Sequence, residues 1–510
     1  MKILLIEPPH KFWKYFKFHT ASPGLAALAA YLERNFRVVA ADFCFYDDPW
    51  AEMLSVLKQE IPDAVCITCA VFPHFYDALQ TAALVKNFNP KIPVIGGGTV
   101  FTALAREALS SGNLDFVVNG EGEVTLKELL KALARRESDF SGIAGISYKL
   151  GGSFIANQPR DFIPDLNTLP VPAWHLFPMN RYHIQPLGGP AAFALTNSRG
   201  CYNRCSYCSE TAHWQNRIRM FSGSRTAEHL EILVKNFAKS IFIFGDNDFL
   251  YDPERVEEFC REVEVRQIKA HYWVQATTKS VIASRKLLPT LKKAGCFNFQ
   301  LGIESIDLAV QENYQKIQPR ELILNAVNAL HDAGISATGL YMWGDWNDTK
   351  ATLESGVEFI LKHFDFWAPN LINPFPGTEY YRKREEMGVI KERDFRRYNQ
   401  YHVIMPTETM SREAVQEFYE KTAFSKKVAW GILKQALFSP HLGCRIWARE
   451  FILLDIKYNL FPWTRIPSGK TFWQYFKEQN LPLPSWEIQT PPWNIPIPER
   501  PAKPKKLEFK

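Results

Sequence analysis

The chain alternates short apolar runs with amphipathic helical stretches, and it does so twice, on either side of a proline-rich interruption. In residues 1–135 the strand-like runs are Lys2–Ile6, Arg37–Ala41, Ala64–Ala70, Pro93–Ile95 and Phe116–Val118. Helical patterns at Pro23–Asn35, Ala51–Gln59, Phe75–Asn87, Phe101–Ser110 and Val124–Ala134 separate or follow them. Runs that are continuously apolar belong to strands buried on both faces, and helices are the crossovers that parallel strands require. An α/β fold with a doubly wound parallel sheet is therefore expected here.

A second series occupies residues 191–408. Its strands are Ala192–Thr196, Ser240–Phe244, His271–Ala276, Phe297–Gly302, Ala337–Tyr341 and Phe366–Leu371. Helices are expected at Thr226–Phe237, Pro253–Glu264, Ser284–Ala294, Glu321–Asp332 and Lys350–His363. This reads as about six β/α units joined by right-handed crossovers. Residues 136–190 between the two series are expected to be a linker. It holds a hairpin over Gly142–Phe154 turning at Gly151-Gly152, then an extended segment from Pro164 to Trp174 whose prolines disfavour helix.

Residues 409–510 read as a helical, aromatic cap with a proline-rich tail. Val428–Leu437 and Ile446–Leu454 are amphipathic, with Trp430, Phe438, Trp447, Phe451 and Trp463 on or near the apolar side. Packing is preferred to membrane contact, because Glu450 and Asp455 interrupt the basic face.

Composition narrows the class. Basic and acidic residues number 60 and 54 in 510, which offers no electrostatic case for nucleic acid. Nine cysteines, an odd count, argue against a disulfide framework and suit a reducing cytoplasm. The apolar run Ile3–Ile6 is cut off by Glu7 and reads as a strand rather than a leader. No stretch approaches the ~18 apolar residues that span a bilayer.

Cys201, Cys205 and Cys208 follow the first strand of the second series in a Cys-x3-Cys-x2-Cys spacing. Three thiolates on a four-iron cluster would leave one iron open to substrate. Zinc is the alternative, with His213 completing a Cys3His set, and inert buried thiols are a third. Cys66 and Cys69 lie within one strand and point to opposite faces, so they read as core residues.

The run Arg199-Gly200-Cys201-Tyr202-Asn203-Arg204-Cys205-Ser206-Tyr207-Cys208-Ser209 resembles the signature loop of radical S-adenosylmethionine (SAM) enzymes. The resemblance implies a 4Fe–4S cluster on the three cysteines and SAM on the open iron, cleaved to a 5′-deoxyadenosyl radical. It also implies a partial (β/α)6 barrel, whose active site lies at the carboxyl ends of the strands. On that basis Tyr207, Gly245, Asp246, Gln275, Glu304 and Ser305 are candidate SAM contacts. Trp343-Gly344-Asp345-Trp346 departs from the Gly-x-Pro of relatives.

The first series is similar to the cobalamin-binding domain that precedes many radical SAM domains. The similarity rests on Val118-Asn119-Gly120-Glu121-Gly122-Glu123, on Gly96-Gly97-Gly98-Thr99 and on the Leu-Pro-x-Pro-Ala-Trp linker ending at Trp174. It implies a cobalamin contacted by Pro9, Thr68, Gly97, Gly98, Gly120 and Glu121. None of the twelve histidines, His10 and His74 included, stands in the Asp-x-His-x-x-Gly that would ligate cobalt, so a base-detached cobalamin is expected.

The activity these resemblances imply is methylation of an unactivated carbon. Oxidative cyclisation with the same cofactors is the alternative, and a non-catalytic iron–sulfur or cobalamin carrier is a third. A small-molecule substrate and an external one-electron reductant, such as flavodoxin or ferredoxin, are the expected partners.

Overall fold

The computed structural model describes residues 1–9, 20–46, 48–182, 192–238 and 240–423, with isolated positions between 430 and 445. Of the expected helix Val428–Leu437 only isolated helical positions are described, and Trp430, Leu437 and the neighbouring Phe438 are exposed; the helix Ile446–Leu454 and the tail lie outside the described residues.

The first sheet contains β1 (Lys2–Glu7), β2 (Arg37–Asp42), β3 (Ala64–Thr68), β4 (Val94–Gly97), β5 (Phe116–Val118), β6 (Ile146–Leu150) and β7 (Ser153–Ala156). Their order is β2-β1-β3-β4-β5-β6-β7, parallel up to β5. Alternate residues feed two cores. Ile3, Leu5 and Cys66 enter one, while Leu4, Ile6, Val65, Ile67 and Cys69 enter the other. Both faces are thus covered, which is why these strands read as unbroken apolar runs. Burial pushes the Cys66 thiol up to about 12, as befits a core residue.

The expected hairpin forms with Gly151 and Gly152 at its turn, both at positive φ. It does not hang free in the linker. Its first strand, β6, pairs antiparallel with β5 and covers that edge of the sheet, with Tyr148 against Phe116. The linker itself is packed. Trp174 is buried and meets Phe193 edge-on at 4.9 Å, and the Ala173 amide donates to Ala26 O at 2.9 Å. One core cluster runs from Ile3 through Trp174 to Leu330, joining the two sheets.

The second sheet holds β8 (Ala192–Leu195), β11 (Ile241–Phe244), β12 (His271–Ala276), β13 (Cys296–Glu304), β14 (Ser336–Trp343) and β15 (Phe366–Leu371). All six are parallel and lie side by side in chain order. Between β8 and β11 a short antiparallel ribbon, β9 (Ser198–Gly200) with β10 (Ile218–Met220), stands apart from both sheets. Phe193, Phe242, Tyr272, Val274, Phe299 and Leu301 pack into the core on one face of the second sheet. The other face carries a polar ladder. Asn298 Nδ2 donates to Ser336 Oγ at 2.8 Å and Thr338 Oγ1 to Asn298 at 3.1 Å. Half-exposed Gln275 and Gln300 follow one step nearer the carboxyl ends.

The helix expected at Ser284–Ala294 is instead a 3-10 turn, Arg285–Leu287, followed by a new helix at Leu288–Lys293. Pro289 sits in its first turn, where a missing N–H does no harm. Of the expected cap, helix Arg412–Ala423 is described, and Phe418 and Tyr419 pack edge-on against Trp343.

Candidate cofactor site

The cysteine loop leaves the ribbon directly. Arg199 pairs across to Arg219, and Gly200 packs so closely that a Cβ there would lie 1.9 Å from Arg217 O. Only glycine lets the ribbon close one residue before Cys201. Cys201 and Cys205 are buried, and Cys208 is half-buried before helix Ser209–Trp214.

The loop is tied to the strand ends of the second sheet. Ser206 N donates to Tyr314 O at 3.0 Å, and Ser206 O accepts from Tyr380 N at 2.9 Å. Tyr202 donates to Asp248 Oδ2 at 3.0 Å, which also accepts from Thr277 at 3.1 Å and Ser280 at 2.6 Å. Asn247 donates to Gly200 O at 3.0 Å. Asp248, fully buried, is thus the knot that joins the loop to the ends of β11 and β12.

Burial pushes all three thiols up, Cys208 to about 11. The Lys316 ammonium opposes this at Cys201 and Cys205. Thiolates buried this way need a compensating positive charge, and bound metal is the usual source. Lys316 makes a 2.8 Å ion pair with Glu304 at the end of β13. Burial alone would lower that ammonium, but Glu304 and the thiol of Cys205 outweigh it.

Among the described residues, no three His, Cys, Asp or Glu side chains gather around a point that one ion could fill. A cubane bonds each of its cysteines to a separate iron, and Cys201, Cys205 and Cys208 stand together on one short loop. His213 packs its ring edge-on against Trp214 at 4.6 Å. The donor set fits a cluster on three thiolates.

The candidate SAM residues occupy different places. Gly245 is exposed at the end of β11, beside Thr196. Asp246 is fully buried, 3.8 Å from Arg255; its Oδ2 accepts from Asn197 N at 3.4 Å and its Oδ1 has no hydrogen-bond partner. Gln275 faces Gln300 on the polar ladder. Glu304 is held at φ +63, in the left-handed region that costs a non-glycine residue about 1–3 kcal/mol. Its carboxylate also raises the buried phenol of Tyr207, after burial itself. Ser305 is buried and accepts from Asp307 N at 3.1 Å, opening the next helix. Asn197, just past β8, is buried with its side-chain amide close to the Asp246 carboxylate but at no well-formed hydrogen-bond geometry. Sequence reading passed over Asn197 and Lys316. Asn197 carried the signal of a polar residue at a strand end, whereas Lys316 stands in a loop beyond the next helix and carried none.

In the first sheet, Thr68 ends β3 opposite Gly97 on β4. Gly98 has φ +97, and a Cβ on it would come within 2.7 Å of Cys69 O. Nothing lies within 4 Å of where a Cβ on Gly120 would be. These neighbouring strand ends form a floor free of bulky side chains, which fits a broad, flat ring. Pro9 is buried beside it at the end of β1, where Pro8 O accepts from Cys44 Sγ at 3.4 Å.

Glu121 points elsewhere. Its oxygens accept from Ile163 N at 2.6 Å, from Arg199 at 2.6 Å and twice from Arg219 at 2.9 Å. Glu123 accepts from Arg199 at 2.5 Å. Burial alone would raise the Glu121 carboxyl, but hydrogen bonds from Arg219 and the charge of Arg199 hold it below its ordinary value.

The two sets of carboxyl ends meet. Phe72, just past β3, stacks on Phe375, past β15, at 5.0 Å. Helix Thr99–Ala103, past β4, lies against helix Ser209–Trp214 of the cysteine loop. A hollow of about 390 Å³ lined by Cys260, Arg261, Ser284 and Lys286 lies among the outer helices and is separate from this junction.

After β14 the Gly344-Asp345 turn carries a buried acid pair. Asp345 accepts from Tyr380 OH at 2.7 Å and Asn313 at 2.9 Å. Burial and the charge of Asp345 push the Asp348 carboxyl up to about 7. With the folded-state value above that of the unfolded chain, the stability from this group is full below the unfolded value. It is lost as pH rises through about 7. The thermal midpoint of the wild type should therefore fall more steeply between about pH 5 and 8 than that of Asp348→Asn. Equal slopes would mean that Asp348 is already ionised in the folded chain.

Two linked α/β units, one with glycine-rich strand ends and one with a three-cysteine loop, define a protein built around two cofactor sites. Residues 14–130 match the B12 binding domain, and residues 197–355 match the radical SAM superfamily. The chain thus carries a B12-binding domain ahead of a radical SAM domain. The cofactors of these families are a 4Fe–4S cluster, SAM and cobalamin. It is 28% identical over 446 residues to an uncharacterized methyltransferase of Pyrococcus horikoshii, covering 86% of this chain and 95% of that one. It is 27% identical over 377 residues to the anaerobic magnesium-protoporphyrin IX monomethyl ester cyclase of Rubrivivax gelatinosus, covering 72% and 65%. Its fold matches the cobalamin-dependent S-adenosylmethionine radical enzyme OxsB, solved with aqua-cobalamin and S-adenosylmethionine bound. The TM-score is 0.70 at 17% identity, over 94% of this chain and 74% of that one. No described helix is long and apolar enough to cross a membrane.

Proposed function

We propose that this radical SAM enzyme uses cobalamin as a second cofactor to methylate an unactivated carbon of a small molecule. The observation that carries the proposal is the meeting of the two carboxyl edges at Phe72–Phe375 and at helices Thr99–Ala103 and Ser209–Trp214. A reaction that uses both cofactors on one carbon needs them held close and oriented. When bound, the cluster with SAM supplies a carbon radical that takes hydrogen from substrate, and cobalamin supplies the methyl group.

The chain's own contribution is positioning. Cys201, Cys205 and Cys208 hold the cluster and leave one iron free. Asp248 fixes Tyr202 and so the pose of the loop. Asn197, Gly245, Gln275 and Glu304 offer the polar and open surface for SAM. Thr68, Gly97, Gly98 and Gly120 form the floor for the corrin. Electrons come from a one-electron donor of the flavodoxin or ferredoxin kind.

The cyclase relative favours a second reading, oxidative ring closure with the same cofactors. The test is anaerobic reconstitution with iron, sulfide and hydroxocobalamin, then turnover with methyl-deuterated SAM on fractionated small molecules from a host cell. Label appearing in a product together with 5′-deoxyadenosine supports methylation. An unlabelled product that has lost hydrogen supports cyclisation. Absence of 5′-deoxyadenosine would leave only a carrier.

A further inference from the structure

The buried ions between the two domains are not explained by either cofactor site. Glu121 ends the loop that follows β5, and Glu123 lies in the first turn of the next helix, Gly122–Ala134. That loop begins at Gly120, on the open floor of the first sheet. Arg199 stands on β9, two residues before Cys201, and Arg219 stands opposite it on β10. Arg199 is forked between the two glutamates, one nitrogen to each. Arg219 bridges Glu121 and the linker carbonyl of Ile163, the latter at 2.7 Å. It also lies over the ring of Phe162 at 4.7 Å and that of Trp214 at 5.4 Å. Trp214 ends the helix that starts just after Cys208. Every charged head in this cluster is largely shielded, with side chains at most 16% exposed.

A forked Arg–carboxylate contact fixes direction as well as distance. Such a network transmits displacement, because a shift of Arg199 or of either glutamate leaves a buried charge without its partner, although Nε and Nη2 of Arg219 make no hydrogen bond. From Gly120 to Cys201 the path is therefore short and stiff. It runs from Gly120 through the neighbouring Glu121 to the Arg199 fork, and then through close-packed Gly200. If the arginines moved, Glu121 would keep only the Ile163 amide, and Glu123, bonded to Arg199, would keep no hydrogen bond.

We propose that Glu121 and Glu123 are positioning residues for the cluster loop, coupling occupation of the first domain's strand ends to the setting of the cysteines. The proposal rests on the reading of those strand ends as a corrinoid site. Coupling between two binding sites is reciprocal, so it can be read from either side. A cluster in place should tighten binding of the corrinoid, and a broken fork should remove that gain while leaving both sites present.

The experiment titrates hydroxocobalamin into the full chain, once iron-free and once after anaerobic reconstitution with iron and sulfide. The wild type should bind at least about fivefold tighter when the cluster is present. Glu123→Gln, whose recorded bond is to Arg199 alone, should bind in both states with a ratio near one. Arg199→Lys, which keeps the charge but not the fork, should fall between them. Absorbance of the cluster and iron content confirm that each variant is loaded. A purely structural role would weaken both affinities and leave their ratio untouched, and that result overturns the proposal. So does a wild-type ratio of one. If the wild type binds no hydroxocobalamin in either state, the corrinoid reading fails and this proposal fails with it, an outcome distinct from the other two.

Discussion

Replacing Cys201, Cys205 and Cys208 together with alanine is expected to take the chain from about four iron atoms to essentially none and to abolish SAM cleavage. The effect is all-or-none because no other described cysteine can substitute. Cys66, Cys69, Cys260 and Cys296 are buried in the cores, and Cys44 is buried with its thiol donating to Pro8 O. The fold itself should tolerate the change. Ser206 is held by its backbone to Tyr314 and Tyr380, and Asp248 still receives Tyr202, so the loop keeps its anchors without the sulfurs. Burial keeps the three thiols neutral when metal is absent, so their removal takes no charge from the iron-free protein. The thermal midpoint of the iron-free variant should match that of iron-free wild type. Iron analysis, visible charge-transfer absorption and 5′-deoxyadenosine release check the result. Iron retained at wild-type level would place the cluster elsewhere. One zinc per chain in the wild type, lost in the variant, would restore the Cys3His reading with His213.

Leucine at both Gly97 and Gly120 should remove bound corrinoid while iron content and SAM cleavage stay measurable. Space decides this. A Cβ on Gly97 would meet nothing nearer than Val118 O at 4.0 Å, and one on Gly120 nothing within 4 Å. The added side chains therefore extend over the floor rather than into the core, and they occupy the volume a flat ring would need. Gly120 has φ +76, so an L-residue there adds about 1–2 kcal/mol of backbone strain. That is a modest cost for a chain whose two units share one core cluster. Co-purified or reconstituted cobalamin, quantified after release from the protein, is the measurement. Unchanged cobalamin in the double variant would move the ligand to another surface.

The separation of these two effects matters, because the domains are not independent. Glu121 stands one residue from Gly120 and grips Arg199. A leucine at Gly120 that also disturbed the fork would lower iron content along with corrinoid. Gly97→Leu alone, on β4 and away from the fork, then tests the floor by itself.

Much of the fold could be read directly. The strands at Phe116–Val118, His271–Ala276 and Phe366–Leu371 and the helix at Lys350–His363 have the expected bounds. Each stands out locally, the strands as largely apolar runs and the helix by its amphipathic period. Helix Lys350–His363 also opens on a Thr349–Thr352 capping box. The hairpin was visible as a hairpin, but its attachment to β5 was not, since nothing local says which edge a ribbon will cover. The break before Pro289 was missed by weighing apolar period above a residue that cannot donate in a helix interior.

Local order in the chain was enough to set the α/β architecture and to bring three cysteines onto one short loop. Neighbouring residues along a backbone obey a few repeating geometries, and those geometries leave a periodic trace in the letters. The roles of the charged residues came from long-range contact. Asp246 and Glu121 stand at strand ends, and their nearest opposing charges are Arg255 and, 78 positions further on, Arg199. Lys316, beside the cysteines, had no motif at all. A buried charge is defined by whatever opposes it in space, and the partner of an ion pair can come from anywhere in the chain. No spacing rule records that choice, so only the packed arrangement of both domains reveals it.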